Sequence, residues 1–460
     1  MSQNAKKLNM LSGPIWSRLP QFALPVAATA ILEQLFNASD IAVVGNFTGE
    51  IRNAAVAAVG ANSPIISLIL NLFIGIALGA NVVIANAIGR SDREAAQQTV
   101  NTAIVFSLVG GLLVGLLGEG VASGLLHLIQ VPEDVFPLAL LYLRIYLAGM
   151  PVILLFNFEA AIFRSIGDTK TPLAALAFSG ILNVILNLFF VIVLKMTVNG
   201  VATATVISNA VSSLILWFRL QKADPYVRLD VKSLRFHPKS FGRIVRIGLP
   251  AGVQSAVFSV ANIVIQSAIN SLGTVVMAAS SAAYNIEVLA YDVLNAFSQA
   301  CTTFVGQNYG AGNIRRCKKT LLLSLAEGAT ATLLSVGLIL LTGKSLLSIF
   351  NRDPQVIDTG YIRLVYLFCG YLGLMAYEVL SGYLRGFGIS LVPALLTTIG
   401  VCGVRIAWIS TAFPANPTFP TIMMAYPISL NFTALLLLVA VLIYRPARRR
   451  AHLERTEKCA

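Results

Sequence analysis

The chain has 460 residues, of which 57% are hydrophobic and only 12% are charged. About a quarter of the residues of a soluble domain are charged, so this composition excludes an ordinary soluble protein and predicts an integral membrane protein. The formal net charge of +13 would suit a nucleic-acid-binding protein, but the positions of the charges, described below, exclude that partner.

Twelve apolar stretches of membrane-spanning length follow one another along the chain. They lie at about 19–46, 55–87, 98–128, 137–163, 172–198, 200–221, 244–270, 274–306, 320–343, 356–384, 390–412 and 421–444. The predicted fold is therefore an all-α membrane protein with twelve transmembrane helices. Several stretches exceed the roughly 20 residues that cross a bilayer, which predicts tilted or bent helices.

The 33 Lys and Arg residues are distributed unequally between the loops on the two sides of the membrane. With a cytoplasmic N-terminus, the inside segments carry 26 of them and the outside segments four, and Arg144, Arg363 and Arg405 fall within spans. Cytoplasmic loops of membrane proteins are enriched in Lys and Arg. The sequence thus predicts a multi-pass protein of the cell (inner) membrane with both termini in the cytoplasm.

Short sequence patterns recur at a nearly constant spacing in the two halves. Phe-Arg-Ser-Ile-Gly at 163–167 recurs as Leu-Arg-Gly-Phe-Gly at 384–388, an offset of 221, and Leu-Pro at 24–25 recurs at 249–250, an offset of 225. Such a spacing indicates duplication. Because an even number of spans separates equivalent points, we expect two six-helix bundles related by a pseudo-twofold axis along the membrane normal.

The duplication predicts how the chain divides into domains. We expect an N-lobe at 1–221, a basic cytoplasmic linker at 222–242, a C-lobe at 243–445 and a basic cytoplasmic tail at 446–460. Transporters built from such repeats bind their substrates near the middle of the membrane, at the interface of the repeats.

Acidic residues inside the predicted spans are the first candidates for function. They are Glu33, Asp40, Glu159, Glu287, Asp292, Glu327 and Glu378. An Asp at the centre of a helix costs about 2.5 to 3.5 kcal/mol on insertion scales, so these side chains should face the protein interior or a wet cavity. Glu159 lies five residues before Arg164, which predicts a position at the cytoplasmic mouth.

Oxygen-bearing side chains lie on the helices that accompany Asp40. Asn37 and Asp40 share a face of the first helix, Asn183 and Asn187 share a face of the fifth, and Thr205 lies near the start of the sixth. Na⁺ requires several such oxygen ligands, whereas a proton requires only one carboxyl group. Asn and Thr in membranes also form hydrogen bonds that merely pack helices together, and this alternative stays open for the last three residues.

Four segments together resemble the multidrug and toxic compound extrusion (MATE) transporters. They are Gly-Gln-Asn-Tyr-Gly-Ala-Gly at 306–312, Leu-Arg-Gly at 384–386, Gly-Asp-Thr-Lys-Thr-Pro at 167–172 and Asn-Ala-Ser-Asp at 37–40. The similarity covers essentially the whole chain and is closest to the DNA-damage-inducible (DinF-type) branch. It implies antiport by alternating access, in which drug-like, cationic or aromatic small molecules leave the cytoplasm as H⁺ or Na⁺ enters.

The resemblance also implies a cation-coupling site in the N-lobe. Asp40 matches the family's cation-binding carboxylate, and Asn183, Asn187 and Thr205 match its fellow ligands, which makes this set a candidate Na⁺ site. The family usually has a second Asp at the position of Asn187. With a single carboxylate, the choice between H⁺ and Na⁺ stays open.

Further positions follow from the resemblance. Glu378 and Glu287 are candidate cation or substrate residues of the C-lobe, and Gln34, Phe36 and Asn37 are candidate residues of the substrate cleft. No cofactor is expected beside the coupling ion, H⁺ or Na⁺. The expected partners are an organic small molecule and the lipid bilayer, and we expect a monomer.

Two other functions are alternatives for a membrane protein of this kind. A flippase for a lipid-linked oligosaccharide or lipid would share the fold, but its anionic substrate favours a basic cleft, and here the acids within spans outnumber the arginines. A membrane enzyme would need catalytic groups clustered at one membrane face, whereas His127, His237 and His452 are dispersed. We therefore expect no enzymatic activity.

Overall fold

The computed structural model describes residues 8–446, and of Glu50 and Val260 it describes only the backbone. Helices make up most of this part of the chain and no β-strand occurs in it, which confirms the all-α prediction. The predicted tail at 446–460 lies outside the described residues except for its first residue.

The α-helices of the described chain are named here in chain order. They are α1 (Ile15–Phe47), α2 (Arg52–Gly89), α3 (Arg93–Leu128), α4 (Phe136–Ala148), α5 (Met150–Ser165), α6 (Lys170–Leu188), α7 (Val198–Gln221), α8 (Pro238–Asn270), α9 (Thr274–Gly310), α10 (Ile314–Phe350), α11 (Pro354–Phe368), α12 (Tyr371–Gly386), α13 (Leu391–Thr397), α14 (Val404–Ala415) and α15 (Phe419–Tyr444). Short π-helices, Phe189–Val193 and Thr398–Gly403, follow α6 and α13.

The helices account for all twelve predicted spans. Within residues 8–446, nine helical segments are long and apolar enough to cross a membrane, and two bent pairs of helices bring the number to eleven. The remaining predicted span corresponds to α9, which carries Glu287 and Asp292 and does not reach the apolarity of the other segments.

The described chain forms two compact units, each with its own hydrophobic core. The first unit is Ala28–Leu249, and the second combines Leu8–Ala27 with the chain from Pro250 onward. These boundaries differ from the predicted ones at both ends of the N-lobe. The beginning of α1 belongs to the C-terminal unit because Leu19 and Phe22 pack in one cluster with Phe297 and Phe304. The ring centroids of Phe22 and Phe304 are 6.0 Å apart.

The predicted linker and the beginning of α8 belong to the first unit. Arg93 Nε and Gln97 Nε2, both on α3, donate hydrogen bonds of 3.2 and 2.8 Å to the carbonyl of Pro225. Gly248 of α8 approaches α2 so closely that a Cβ at this position would lie 2.5 Å from Ile76 Cα. The linker is therefore docked on the N-terminal bundle.

Two predicted spans are each bent in the middle. The span at 137–163 is divided into α4 and α5 at an angle of 51°, and the span at 356–384 into α11 and α12 at 47°. The breaks fall at Gly149 and Gly370, which are related by the first of the two repeat offsets. A Cβ at Gly149 would lie 2.3 Å from Val206 Cγ2 and one at Gly370 would lie 2.8 Å from Pro427 Cα. The same offset relates Val206 to Pro427, so the units repeat a close contact as well as a helix order.

The glycine of the recurring Arg-x-x-Gly pattern ends a helix in both units. Gly167 follows α5 with φ +82°, and Gly388 follows α12 with φ +80°. Residues with a Cβ rarely adopt this left-handed conformation, so glycine is favoured at both helix ends. Backbone geometry therefore explains why the glycine of this pattern recurs in both halves.

Candidate functional site

Three helices of the first unit bring the predicted cation ligands together. Asp40 lies on α1, Asn183 and Asn187 lie on α6, and Thr205 lies on α7. The π-helical turn Phe189–Val193 begins two residues after Asn187. Such turns occur frequently at functional sites because they interrupt the regular backbone hydrogen bonds of a helix.

The Asp40 carboxylate is held by neutral donors. Asn187 Nδ2 donates to Asp40 Oδ1 at 2.6 Å, and Thr205 Oγ1 donates to Asp40 Oδ2 at 2.9 Å. Asn187 Nδ2 is also 3.1 Å from Asn183 Oδ1. Asp40 is 5% exposed, Asn183 and Asn187 are buried and Thr205 is half-buried, so the predicted four residues form one polar cluster that is largely buried.

No basic side chain of the described residues pairs with this carboxylate. Among residues 8–446, no Lys, Arg or His lies within ion-pairing distance of Asp40. A buried carboxylate without a counter-charge is unfavourable unless it takes up a proton or a cation. The cluster therefore has the chemistry of a cation-binding site.

The surrounding oxygen atoms also suit a metal cation. Asn187 Oδ1 is buried and makes no hydrogen bond within the described chain. A half-turn of this amide directs Oδ1 towards the place where Nδ2 now meets Asp40 Oδ1. The carboxylate, the two amide oxygens and Thr205 Oγ1 then form a set of hard oxygen ligands such as Na⁺ requires.

Two tyrosines of α4 were not predicted as neighbours of this cluster. The rings of Tyr142 and Tyr146 stack with centroids 6.2 Å apart, and both phenols are close enough to Asp40 to interact with it electrostatically. Tyr142 belongs to a Tyr-x-Arg pattern at 142–144 that occurs again at 361–363. Only the packing of α4 shows that its phenol is near enough to Asp40 for an electrostatic interaction.

The predicted cleft residues of α1 have different surroundings. Gln34 and Asn37 are exposed, and neither forms a hydrogen bond to the Asp40 cluster in the part of the chain that the structure describes. Phe36 packs on the core of the first unit, with its ring against Gly180 of α6. Of the three residues, Phe36 is the one placed beside a helix that carries cation ligands.

Glu159 is not at an exposed mouth, so that prediction was wrong. Its side chain is fully buried, and Ser213 Oγ donates a hydrogen bond of 2.8 Å to its Oε2. The prediction relied on the distance to Arg164 along the chain. It did not account for α7, which packs over this face of α5.

The two candidate acids of the C-lobe have separate partners. Glu287 Oε2 forms a salt bridge of 2.8 Å with Arg363 Nη2, and the Arg363 side chain is 5% exposed. Glu378 is buried and its Oε1 accepts a hydrogen bond of 3.4 Å from Tyr291 Oη. The charge of Glu287 is thus already neutralised, and no hydrogen bond between described residues joins the two acids.

Comparison with known proteins identifies relatives along most of the chain. The sequence model of the MatE family matches residues 25–189 and 250–409, one segment in each half. The probable multidrug resistance protein YpnP of Bacillus subtilis (strain 168) is 27% identical over 406 residues, which cover 87% of this chain and 89% of the relative. A protein of Shewanella oneidensis named FAD transporter is 26% identical over 373 residues, which cover 79% of this chain and 80% of the relative.

A solved structure shows the same fold. It is the outward-facing conformation of a multidrug resistance MATE family transporter of the MOP superfamily. The two structures align with a TM-score of 0.88 and 22% sequence identity, and the alignment covers 99% of this chain and 100% of the other. The family model matches well over half of the chain. This chain therefore belongs to the MatE family, whose members are membrane transporters and not enzymes.

Proposed function

We propose that this protein is a cation-coupled antiporter of the cell inner membrane, with both termini in the cytoplasm. It exports drug-like, cationic or aromatic small molecules from the cytoplasm by alternating access, driven by entry of H⁺ or Na⁺. The names of the relatives support an organic substrate, since one is a probable multidrug resistance protein and another is an FAD transporter.

The buried carboxylate of Asp40 is the observation that carries this proposal. It accepts hydrogen bonds from Asn187 and Thr205 and has no basic partner among residues 8–446. A proton or Na⁺ at this site removes the cost of the buried charge. Coupling requires that the binding free energy of the cation depends on conformation. Because Asp40, Asn187 and Thr205 lie on three different helices, a rearrangement of these helices would change that free energy.

Coupling between the cation and the substrate is reciprocal. If a cation at Asp40 weakens binding of the substrate, the substrate must weaken binding of the cation by the same factor. Entry of one monovalent cation down about 100 mV provides roughly 2.3 kcal/mol, which supports a concentration gradient of about fiftyfold.

The test is transport by the purified protein in liposomes. A proton gradient and a Na⁺ gradient are imposed separately, and export of the aromatic cation ethidium is followed by fluorescence. Wild-type protein is expected to accumulate ethidium against its gradient under at least one of the two ion gradients. Asp40→Asn keeps the size of the side chain and removes its charge, so we expect this variant to lose gradient-driven accumulation.

Asp358→Asn is the matched control. Asp358 is an exposed carboxylate that accepts a hydrogen bond of 2.8 Å from Lys344 Nζ, far from α1 in the chain. This variant should transport as the wild type does. Accumulation by Asp40→Asn equal to that of the control would show that Asp40 is not the coupling residue.

The two ion gradients distinguish the coupling ions. With protons, Asn187→Ala removes one hydrogen bond to Asp40 but leaves the carboxyl group, so transport should persist at a reduced rate. With Na⁺, the same change removes an oxygen ligand, and the Na⁺ concentration for half-maximal transport should rise by about tenfold or more.

A further inference from the structure

We propose that the C-lobe carries an anion-binding site, built on Arg405 and Tyr426, that receives the carboxylate or phosphate group of an organic substrate. This inference deepens the proposed export function, and the assignment of the bound anion as a transported substrate rests on that function. It concerns residues of the second unit only.

The repeat relates this site to the Asp40 cluster. The offset of 221, which also relates the two helix breaks, assigns C-lobe counterparts to the N-lobe ligands. Asn183, Asn187 and Thr205 correspond to Val404, Trp408 and Tyr426, and the offset of 225 relates Asp40 to Ile265. The C-lobe counterpart of the cation cluster therefore has neither a carboxylate nor an amide. Arg405 lies at its edge instead, where the N-lobe has Val184.

Arg405 is buried with most of its hydrogen-bonding capacity unused. Its side chain is 8% exposed, and its guanidinium carbon lies 4.3 Å from the centroid of the Tyr426 ring. Nε donates a hydrogen bond of 3.1 Å to Ser429 Oγ. Neither Nη1 nor Nη2 donates a hydrogen bond to a described residue. Both nitrogens retain some solvent-accessible surface.

The other two arginines within predicted spans have acidic partners. Arg144 Nε lies 3.3 Å from Glu119 Oε2, and Arg363 Nη2 lies 2.8 Å from Glu287 Oε2. For Arg405, no Asp or Glu among residues 8–446 lies within ion-pairing distance. An arginine within a membrane span without an acidic partner marks a functional site, because the cost of its charge is otherwise uncompensated.

Two arginines lie near the Tyr426 ring, and they differ in their ion pairing. The guanidinium carbon of Arg363 lies 5.7 Å from the ring centroid, and Glu287 balances the charge of Arg363. Of the two, Arg405 is therefore the arginine whose charge is not balanced by an ion pair with a described residue. An anion that reaches Arg405 balances it.

The chemistry of the free groups defines the ligand. The two amino groups of a guanidinium bind the paired oxygens of a carboxylate or phosphate in a fork, and the positive charge of the guanidinium repels cations. The Tyr426 ring and Ser429 hold the guanidinium in place, which fixes the direction of the fork. We infer that an aromatic organic anion is a substrate, which falls within the aromatic molecules of the proposed function. The two lobes then bind groups of opposite charge, with the coupling cation in the N-lobe and the anion in the C-lobe.

A matched pair of flavins tests this site. Flavin mononucleotide and riboflavin share one aromatic ring system and differ by a phosphate group. Binding of each to the purified full-length protein in a neutral detergent is measured by fluorescence anisotropy, without an ion gradient. We expect the wild type to bind flavin mononucleotide at least about tenfold more tightly than riboflavin, and inorganic phosphate to compete. Equal affinities for the two flavins would overturn the proposal.

Variants assign the preference to Arg405. Arg405→Gln should reduce the affinity ratio of the two flavins to near one, and Arg352→Gln, which changes an exposed arginine, should leave it unchanged. Arg405→Lys keeps the charge without the fork and should retain part of the ratio. If Arg405→Gln does not fold, Arg405→Lys carries the test, and a ratio equal to that of the wild type overturns the assignment.

Two further arms separate related explanations. Displacement of flavin mononucleotide by phosphatidylglycerol but not by inorganic phosphate would identify a lipid head group as the occupant and overturn a soluble substrate. Asp40→Asn should keep the flavin preference while losing gradient-driven export. Loss of the flavin preference in Asp40→Asn would contradict the proposal that the anion site is separate from the Asp40 site. If the wild type shows no antiport but keeps the flavin preference, the antiport proposal fails and the anion site is supported.

Discussion

Replacing Gly180 with alanine is expected to disturb the Asp40 cluster through Phe36. Gly180 lies on α6, three residues before Asn183, and the Phe36 ring lies on α1, one helical turn before Asp40. A Cβ at Gly180 would lie 1.8 Å from Phe36 Cε2 and Cζ. Since ordinary contacts of this kind begin at 3.4 Å, the ring or the helix must move by about 1.6 Å.

The cost of this change follows from two opposing effects. Overpacking of this kind costs about 1 to 3 kcal/mol, whereas alanine in place of glycine in a helix gains roughly 0.5 to 1 kcal/mol. Gly124→Ala is the control, because a Cβ at Gly124 meets no atom within 4 Å. We therefore expect Gly180→Ala to be less stable than Gly124→Ala by about 1 to 3 kcal/mol.

The free energy of unfolding is measured by titration with SDS in mixed micelles. Phe36→Leu removes the ring atoms that the new Cβ would meet, so the double variant Phe36→Leu with Gly180→Ala should be more stable than the sum of the single effects predicts. Export should follow the same order, because movement of α1 away from α6 lengthens the bond of 2.6 Å between Asp40 and Asn187.

Two outcomes would refute this reasoning. One is equal stability of Gly180→Ala and Gly124→Ala, which would mean that the ring moves aside without cost. The other is strict additivity in the double variant, which would mean that Gly180 and Phe36 do not interact.

Two further predictions concern arginines of the second unit. Glu287→Gln leaves Arg363 buried without its partner and should lower the free energy of unfolding by about 3 to 5 kcal/mol. The double variant Glu287→Leu with Arg363→Met should recover most of this loss. Equal instability of the two variants would contradict the pairing. Arg316 donates hydrogen bonds to the carbonyls of Met10, Ser12 and Gly13, so Arg316→Gln should accelerate hydrogen exchange of residues 8–14, and the exposed Arg315→Gln should not. Equal exchange in these two variants would show that Arg316 does not hold this segment.

Hydropathy and the internal repeat were sufficient to predict the helices. Each predicted span corresponds to a helix, to helical segments joined to a π-helix or to a bent pair of helices. A membrane allows only backbone that satisfies its own hydrogen bonds. Tilted or bent helices were predicted, but the positions of the bends at Gly149 and Gly370 were not. These glycines lie against Val206 and Pro427, residues of other helices that no local pattern connects to them.

The candidate site was predictable in its members but not in its electrostatics. Asp40, Asn187 and Thr205 were selected from spacing and resemblance, and the structure joins them by hydrogen bonds. The surroundings of Glu159 and Arg405 depend on which side chains of neighbouring helices face them. A sequence gives the cost of an ionisable group in a span, but the partner that relieves the cost is visible only after packing.

The repeat also explains why one duplicated bundle can hold two opposite chemistries. At Gly149 and Gly370 the backbone meets a neighbouring helix so closely that any larger residue would displace it, and both halves keep glycine there. Positions 205 and 426 lie one residue before Val206 and Pro427, which pack against these glycines, yet one holds Thr205 and the other Tyr426. Backbone contacts constrain the shape of both units, while the side chains that face the polar clusters are free to differ. A shared backbone with different charged side chains is thus the simplest route from one ancestral bundle to a carboxylate in one lobe and, in the other, a guanidinium that has no acidic partner among residues 8–446.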